Sequence, residues 1–497
     1  MAIKPENTRL LFGLKLKQLR IDKKLSLSEL SIKSGLSVSY INEIEKGKKY
    51  PKPDKIKALA RVLEVTPEEL KSPKLSKRLE PITELLDSAI LTELPLELFG
   101  IDPATLLQLL SEAPTKTSAF IGTLIEIARN YNMSVEQFYF SALRTYQEMY
   151  DNYFEELELQ AERFLSEKGI PEQELPSITL LSALLENEYN YRIETLDDRN
   201  RPELEDVRSL MVPKKGYNLL LLNKRLSENQ RAFILSREIG YQFLNLRNRL
   251  YTTALAEAES FEQLLNNYFA SYFASAILIK RTLLVRKLED FFSLESWQPE
   301  KLLDIIAYFR TTPESFCYRV SNVFPKYFGI NQLFFLRFNG YPGHNRFDMT
   351  KELHLGRKHY PHTKKDEHYC RRWVGLTILK ELAEEPDTKG KILCRAHISH
   401  YIGTGEKYLA ISFAKNMAPS MQNVSVTMGI FLDSVALGKI RFASSPSLVT
   451  RDVNGTCERC DLFTCKDRMA APVVLQKKHK TEALKKALDQ FITEGYS

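Results

Sequence analysis

Three cysteines fall within nine residues near the carboxyl end, Cys457-x2-Cys460-x4-Cys465 in the run CERCDLFTC. Thiolates are soft ligands, and three so closely spaced can converge on one iron-sulfur cluster or one zinc ion. A fourth ligand would come from Cys370, Cys394, a histidine such as His397, or a small exogenous group. Six Cys in 497 residues are too few for a disulfide scaffold, which leaves metal or redox chemistry for the cluster. Cys317 sits in a helical pattern and reads as a buried small hydrophobe. The run HLGRKHYPHTKKDEHYC holds His354, His359, His362 and His368 without a tight ligand spacing and reads as an anion-binding loop.

A second kind of chemistry is electrostatic. Seventy Lys and Arg against 63 Asp and Glu give +7, yet residues 1–80 alone hold 19 basic and 10 acidic side chains, a local +9. The other 417 residues carry 51 basic and 53 acidic groups, or −2. All the excess basicity therefore belongs to one small segment, the footprint of a module that binds polyanionic nucleic acid.

The pattern inside that segment is specific. Leu11, Leu14, Leu16 and Leu19 start an amphipathic helix that ends at Lys23 and Lys24. Ser26 caps a second helix, Leu27 to Ser34, with Glu29 in its first turn, and Gly35 supplies a tight reversal. Ser37 caps a third in GLSVSYINEIEKG, where Leu36, Ile41 and Ile44 face inward and Val38, Ser39, Asn42 and Glu43 face out. A fourth helix after Pro53 buries Ile56, Leu59, Ala60 and Leu63, and VTPEEL caps a fifth. Over residues 8–71 this resembles the Xre-type, phage-repressor-like helix-turn-helix. The resemblance implies that the third helix enters the major groove of double-stranded DNA, with Ser37, Val38, Ser39, Asn42 and Glu43 facing bases and Lys46, Lys48 and Lys49 facing phosphates. Leu27 stands where that family often has Gln.

From Leu79 to about Phe164 apolar residues recur at helical spacing, and a last helix is expected over Ser134 to Leu165, connecting the basic module to the body or pairing with a second copy. After Pro171 come strand-like runs, YNYRIETL and NLLLLN, then a capping box at Ser227 to Gln230 and a helix holding FILSREIGYQFL. This order is similar to the ImmA/IrrE-type metallopeptidase layout. There the helix carries H-E-x-x-H, two imidazoles on one face for zinc and a Glu to activate water. Here the five residues are Arg237, Glu238, Ile239, Gly240 and Tyr241. Arg cannot shed its proton, and Tyr rarely does, so no peptidase activity is expected and Glu238 should pair with Arg237 or a neighbour.

Beyond Pro299 helical runs (LLDIIAYF, ESFCYRVSNVF) mix with strand-like ones (QLFFLRFN, ILCRAHI, YLAISFA, VSVTMGIFL). The whole order of parts resembles the bacterial short-chain fatty acid metabolism regulators, including those of the methylcitrate and glyoxylate pathways. CERCDLFTCKDR is similar to that family's cysteine-arginine run, with Phe463 where a basic residue is common. Cys370, Arg371, Arg372 and Trp373 correspond to its Cys-Pro-x-Trp element, with Arg in place of Pro. The resemblance implies a transcription factor sensing an acyl-coenzyme A, with an iron-sulfur cluster in some members. Such a ligand needs an apolar slot and cations for its phosphates, which Arg357, Lys358, Lys364, Lys365, Arg371, Arg372 and Trp373 offer. A regulator whose signal is the metal or redox state of the cysteine centre is the alternative.

The expected fold is a mainly α amino-terminal half, helix-turn-helix plus helical linker, followed by α+β peptidase-like and sensor-like domains. The expected divisions are 1–75, 76–168, 169–298 and 299–497. No run of 18 uncharged apolar residues is present, since the stretch Leu264 to Ile279 carries Asn266, Asn267 and Ser271, so no membrane partner is expected. With no secretory signal visible, a cytoplasmic homodimer is the expectation.

Overall fold

The computed structural model describes residues 5–72, 135–196, 204, 207–252, 258, 260–341, 346–356, 367–384, 391–417 and 422–494. The chain divides into two compact units, residues 1–146 with 257–265 and residues 147–256 with 266–497. The first contains α1 (Pro5–Asp22), α2 (Leu27–Ser34), α3 (Val38–Glu45), α4 (Pro53–Leu63) and α5 (Pro67–Lys71). Three of these helices start where the sequence provides a side-chain cap, and α4 starts on Pro53 instead. Ser26 and Glu29 form a reciprocal capping box on α2, Ser37 caps α3 and Thr66 caps α5, satisfying amide donors that helix starts leave open. The core unites Phe12, Leu16, Leu30, Ile41, Ile44 and Leu59. The helical stretch expected from Leu79 lies outside the described residues up to 134.

The single helix expected over Ser134 to Leu165 is two, α6 (Val135–Met149) and α7 (Glu155–Glu167). The break falls at Asp151 and Asn152, whose φ values are 49° and 53°, a conformation Asn tolerates better than most residues. Asn152 is held there by buried polar contacts: its Oδ1 accepts from Tyr268 at 2.7 Å and its Nδ2 donates to Ser321 at 3.0 Å. Helix α7 then packs its Ala161, Phe164 and Leu165 into the core of the second unit. Periodicity could not register the break, because the apolar spacing runs through it.

In the second unit α8 (Ile178–Glu188) leads to a small sheet of β1 (Tyr191–Leu196), β2 (Ser209–Lys214) and β3 (Tyr217–Asn223), ordered β1-β3-β2. β1 runs parallel and β2 antiparallel to the central β3. Strand β2 was not expected: it contains Pro213, which suits only an edge position. Helices α9 (Glu228–Phe243) and α10 (Phe261–Leu278) follow, and α9 buries Ile234 to Tyr241 without interruption. Among the described residues no single helix is long and apolar enough to cross a membrane.

Helices α11 (Arg281–Phe292), α12 (Pro299–Tyr308) and α13 (Pro313–Val323) precede a second sheet. Its strands are β4 (Leu333–Gly340), β5 (Phe347–Leu355), β6 (Leu393–Tyr401), β7 (Glu406–Met417), β8 (Gln422–Phe431) and β9 (Thr450–Val453), in the order β5-β4-β8-β7-β6-β9. All neighbours are antiparallel except β6 and β9. Both faces are covered. One face carries Phe335, Leu409, Phe413, Val426 and Ile430 into the core shared with α11 to α13. The other carries Phe334, Leu336, Phe338 and Tyr408 into a core shared with α14 (Val374–Glu384). Here two glycines permit close approach. A Cβ on Gly429 would lie 2.1 Å from the Phe334 ring, and one on Gly375 would lie 2.4 Å from Thr427 Oγ1. β5, β9, α14 and the last helix, α15 (Val473–Glu494), were not expected from the sequence. The four strands and two helices that were expected in this region are all found.

Within this unit α7 is tied to α13 by a buried ion pair. Arg319 donates through Nη2 to Glu158 Oε2 at 2.8 Å and through Nη1 to Oε1, while its Nε donates to the Ile279 carbonyl at 2.9 Å. The Tyr272 hydroxyl donates to Glu158 Oε1 at 2.7 Å. Glu158→Gln would leave the guanidinium buried without its counter-ion and is expected to cost about 3–5 kcal/mol, read as a lower urea midpoint. Burial alone would raise the Glu158 carboxyl, but the Arg319 charge and hydrogen bonds outweigh it and hold it below its usual range. The stabilisation is therefore complete above the unfolded carboxylate range and is lost as pH falls through the lower folded value. The variant should lose less stability on acidification than the parent.

Candidate nucleic-acid interface and the peptidase-like centre

The turn between α2 and α3 is built locally. Gly35, at φ 70°, reverses the chain, and the Ser31 hydroxyl donates to the Leu36 carbonyl at 2.5 Å. The placement of α3 depends on residues that sequence reading passed over. Arg20 on α1 grips Glu45 on α3 with both arms of its fork, at 2.7 and 2.9 Å, and also donates to the Leu25 carbonyl at 2.9 Å. Glu45 is 3% exposed, so this is a buried bidentate pair rather than a solvated one. Above it α1 crosses the end of α3 so closely that a Cβ on Gly13 would lie 2.3 Å from the Ile44 carbonyl oxygen.

With α3 fixed in this way, Ser37, Val38 and Ser39 are exposed, and Asn42 and Glu43 are half-buried. Ser37 spends its hydroxyl on the helix cap, accepting from the Tyr40 amide at 3.2 Å. Glu43 is engaged by Lys49 at 2.8 Å, and that contact holds the Lys49 ammonium above its usual range. Lys48 is exposed and Lys46 half-buried. The surface therefore offers Val38, Ser39 and Asn42 in a row with Lys46 and Lys48 beside them. Glu43 and Lys49 meet such a surface as a neutral pair.

At the centre of α9, Glu238 has an arginine partner that the sequence did not indicate. Arg249 Nη2 lies 2.8 Å from Glu238 Oε1 and 2.7 Å from Oε2, and the two side chains are 5% and 1% exposed. Arg237, the expected partner, stands further off at 3.6 Å and donates to the Ser209 hydroxyl at 3.3 Å. The Tyr191 hydroxyl donates to Glu238 at 3.2 Å and accepts from Gln242 at 2.9 Å. Burial, then the Glu238 charge, push this hydroxyl up to about 12. Tyr241 lies beneath the Arg249 guanidinium, 3.8 Å from ring centroid to carbon, and donates to Asn267 at 3.0 Å. Burial raises Tyr241 to about 12 as well. Glu238, Arg249, Tyr191, Gln242 and Tyr241 are thus linked by ion-pair, cation–π and hydrogen-bond contacts around one guanidinium.

The cysteine segment is a turn braced by Arg468, the last residue of the run CERCDLFTCKDR. Its Nη1 donates to the Cys457 carbonyl at 2.8 Å, and its Nη2 donates to the carbonyls of Cys460 at 3.0 Å and Leu462 at 2.8 Å. Cys457 and Cys460 are buried and Cys465 is half-buried. The Cys370 amide donates to the Gly455 carbonyl at 3.1 Å and the Cys457 amide to the His368 carbonyl at 2.9 Å. Burial pushes the Cys370 thiol up to about 11, and Cys460 and Cys457 add to the rise. The fold therefore brings Cys370 beside the terminal cysteines. It does not bring Cys394, which belongs to the core on the opposite sheet face. His397 is buried against the Ser399 hydroxyl at 2.9 Å. Among the described residues no three His, Cys, Asp or Glu side chains converge closely enough to hold a metal ion, so the cysteines as placed are not a closed ligand set.

Of the side chains named for an acyl-coenzyme A, Arg357, Lys358, Lys364 and Lys365 lie outside the described residues, as do His359 and His362. Arg371 is buried over the Phe347 ring at 4.7 Å, and Trp373 packs with Phe338 and Tyr369. Arg372 is half-buried. Trp373 also lines a small apolar cavity beneath α14 with Phe334, Leu336, Phe338, Tyr401 and Thr427.

Comparison with known proteins agrees with the two amino-proximal assignments. Residues 16–70 match the helix-turn-helix family and residues 192–321 the IrrE N-terminal-like domain of peptidase family M78. The chain thus carries an Xre-type helix-turn-helix domain and an IrrE-like domain, with Glu238 and Arg249 inside the latter. It is 47% identical over 60 residues to the uncharacterized HTH-type transcriptional regulator RghRB of Bacillus subtilis, an alignment spanning 12% of this chain and 43% of that protein. The chain thus spans less than half the length of this curated relative. A Mycobacterium tuberculosis transcriptional regulator aligns with 67% of this chain and 93% of its own, at 16% identity and a TM-score of 0.45.

Arg249→Met is expected to leave the buried Glu238 with only the more distant Arg237 and to lower stability by about 3 kcal/mol. Adding Glu238→Gln to it should restore part of the loss. A denaturation series on the three proteins checks this, and equal midpoints for Arg249→Met and the parent would contradict it.

Proposed function

We propose that this protein is a sequence-specific DNA-binding transcriptional regulator, a homodimer reading a pseudo-palindrome, with no peptidase chemistry of its own. One observation carries this reading: α3 is locked from behind by Arg20 and Glu45 while Val38, Ser39 and Asn42 stand outward on a segment of net charge +9. Base edges would be read by Ser39 and Asn42, with Val38 against a thymine methyl. Phosphates would be met by Lys46 and Lys48. In the IrrE-like domain, Glu238 is the Arg249 counter-ion, and a carboxylate so engaged is not poised as a general base.

Fluorescence anisotropy on the protein's own promoter DNA tests this. Affinity should fall steeply with salt, and Lys48→Ala should weaken all sequences alike and lower the salt slope by about one unit. Asn42→Ala should instead narrow the gap between specific and random duplexes by about 1–3 kcal/mol. Binding that shows no salt dependence would sink the proposal.

The reading extends to an acyl-coenzyme A effector bound by the carboxyl-terminal half. Its support is the resemblance in the cysteine-arginine run and the position of Trp373 at the cavity beneath α14. An effector shifts the regulator only if it favours one of two arrangements. Thermal unfolding with acetyl-, propionyl- and butyryl-coenzyme A checks it: a ligand at 100 times its Kd should add about 2.7 kcal/mol, and no shift with any of the three would remove the effector. For Cys457, Cys460 and Cys465 the reading is iron-sulfur ligation, with zinc as the alternative, and in a redox-sensing regulator that centre is the signal. Spacing and the nearness of Cys370 support it, and loading would have to draw the thiols together.

A further inference from the structure

Helix α15 (Val473–Glu494) starts on the cysteine turn and then leaves the fold. From Gln476 to Thr493, 18 residues or five turns, every side chain is exposed. Its sequence is nevertheless not that of a solvated helix. Leu484, Leu488, Phe491 and Ile492 are 60%, 52%, 76% and 58% exposed, and their spacing of four, three and one places them on a single stripe. Extended towards the amino end at alternating intervals of four and three, the stripe runs Val474, Lys477, Thr481, Leu484, Leu488, Phe491, the seam of a coiled coil. A helix gains most of its stability from burying its apolar face, and little from propensity. This one buries almost none within its own chain, so its covering surface comes from outside.

We infer that α15 is a homodimer interface, pairing antiparallel with α15 of a second copy about a centre near Lys486. The inference names the surface for the dimer in the functional reading above and rests on that reading for its dimer. Charge selects both the partner and the direction. Five lysines, Lys477, Lys478, Lys480, Lys485 and Lys486, fall before Ala487 in the helix, while residues 487–493 carry Asp489 and no basic group. An antiparallel pair sets Lys480 of each copy beside the lysine-free stretch 487–493 of the other and brings one like pair, Lys485 with Lys485 of the second copy, together at the centre. Leu484 then meets Leu488 of the second copy, and Thr481 meets Phe491. A parallel pair would instead set Lys480 against Lys485 on both sides of the seam, a like-charge contact made twice. Over about 30 Å of helix at 1.5 Å per residue, two such stripes bury on the order of 1,000 Å² in total, the lower limit for a specific interface. The lysine stems add apolar cover at the rim while their ammonium groups stay in water.

Sedimentation equilibrium of the full chain at about ten micromolar tests the inference. The parent should sediment at twice the 57.4 kDa of one chain, and Leu484→Lys with Leu488→Lys should halve that mass. The rest of the fold should still unfold cooperatively, with only the helical signal of the separated α15 and the stability due to association reduced. Direction is read by mild oxidation, counting only dimer bands absent from the parent. Ala487→Cys should cross-link to its own copy and Lys477→Cys should not, and the reverse pattern would overturn the antiparallel arrangement. A monomeric parent, or a dimer indifferent to the double substitution, would overturn the interface. Its binding instead to anionic vesicles or to duplex through α15 would do the same. Loss of salt-dependent promoter binding bears on the helix-turn-helix reading alone, so the two failures are told apart.

Discussion

A carboxylate at the middle of a helix that is buried on every side must find a cation or lose its charge, and that constraint organises the peptidase-like domain. Glu238 sits on the central turn of α9 at 1% exposure. Here a guanidinium supplies the counter-charge. Arg249 satisfies both carboxylate oxygens, stacks on Tyr241 and approaches the Tyr191 hydroxyl. On the same helix stand Arg237 and Tyr241, a second cation and the aromatic face on which the first one rests. A buried pair of this kind contributes little beyond a well-packed apolar alternative, but losing one member is costly. The arrangement is thereby self-maintaining: each group requires the others.

How much of this was legible in the sequence depends on how local the deciding physics is. The caps at Ser26, Ser37, Thr66 and Ser227 and the turn at Gly35 are short-range chemistry, and all are found where the residues place them. The inward face of α3 was legible for the same reason. Arg20 with Glu45, Glu158 with Arg319 and Glu238 with Arg249 were not, because one charged residue looks like another until the fold brings two together. The break at Asn152 escaped for a related reason. A left-handed turn inside an apolar periodicity leaves no trace in the spacing, and its stabilising partners, Tyr268 and Ser321, lie more than a hundred residues away. Strands β2, β5 and β9 share an edge or near-edge character, with Pro213 or alternating charges that weaken a strand signal. For the candidate interface, type and position were readable, but the pairing of Glu43 with Lys49 was not.

The second sheet shows how one layer serves two cores. Alternation along β4 and β8 sends Phe335, Val426 and Ile430 to the helices on one side. The same strands send Phe334, Leu336 and Phe338 to α14 on the other. Small residues decide how closely α14 can lie: Gly375 rests against Thr427 and Gly429 lies under Phe334. Trp373 and Arg371 are drawn into this layer as packing groups, which explains why residues noticed for their charge and ring lie deep in the structure.

The last strand has a consequence for connectivity. β9 pairs with β6 over Thr450 to Val453 and runs directly into the cysteine turn, while Tyr369 bridges to Thr456 and Cys370 hangs from Gly455. The cysteine turn and the segment 368–370 that leads into α14 are stitched to each other through a few backbone groups. A backbone hydrogen bond and a few residues are therefore all that separate the cysteine turn from Trp373 at the cavity wall.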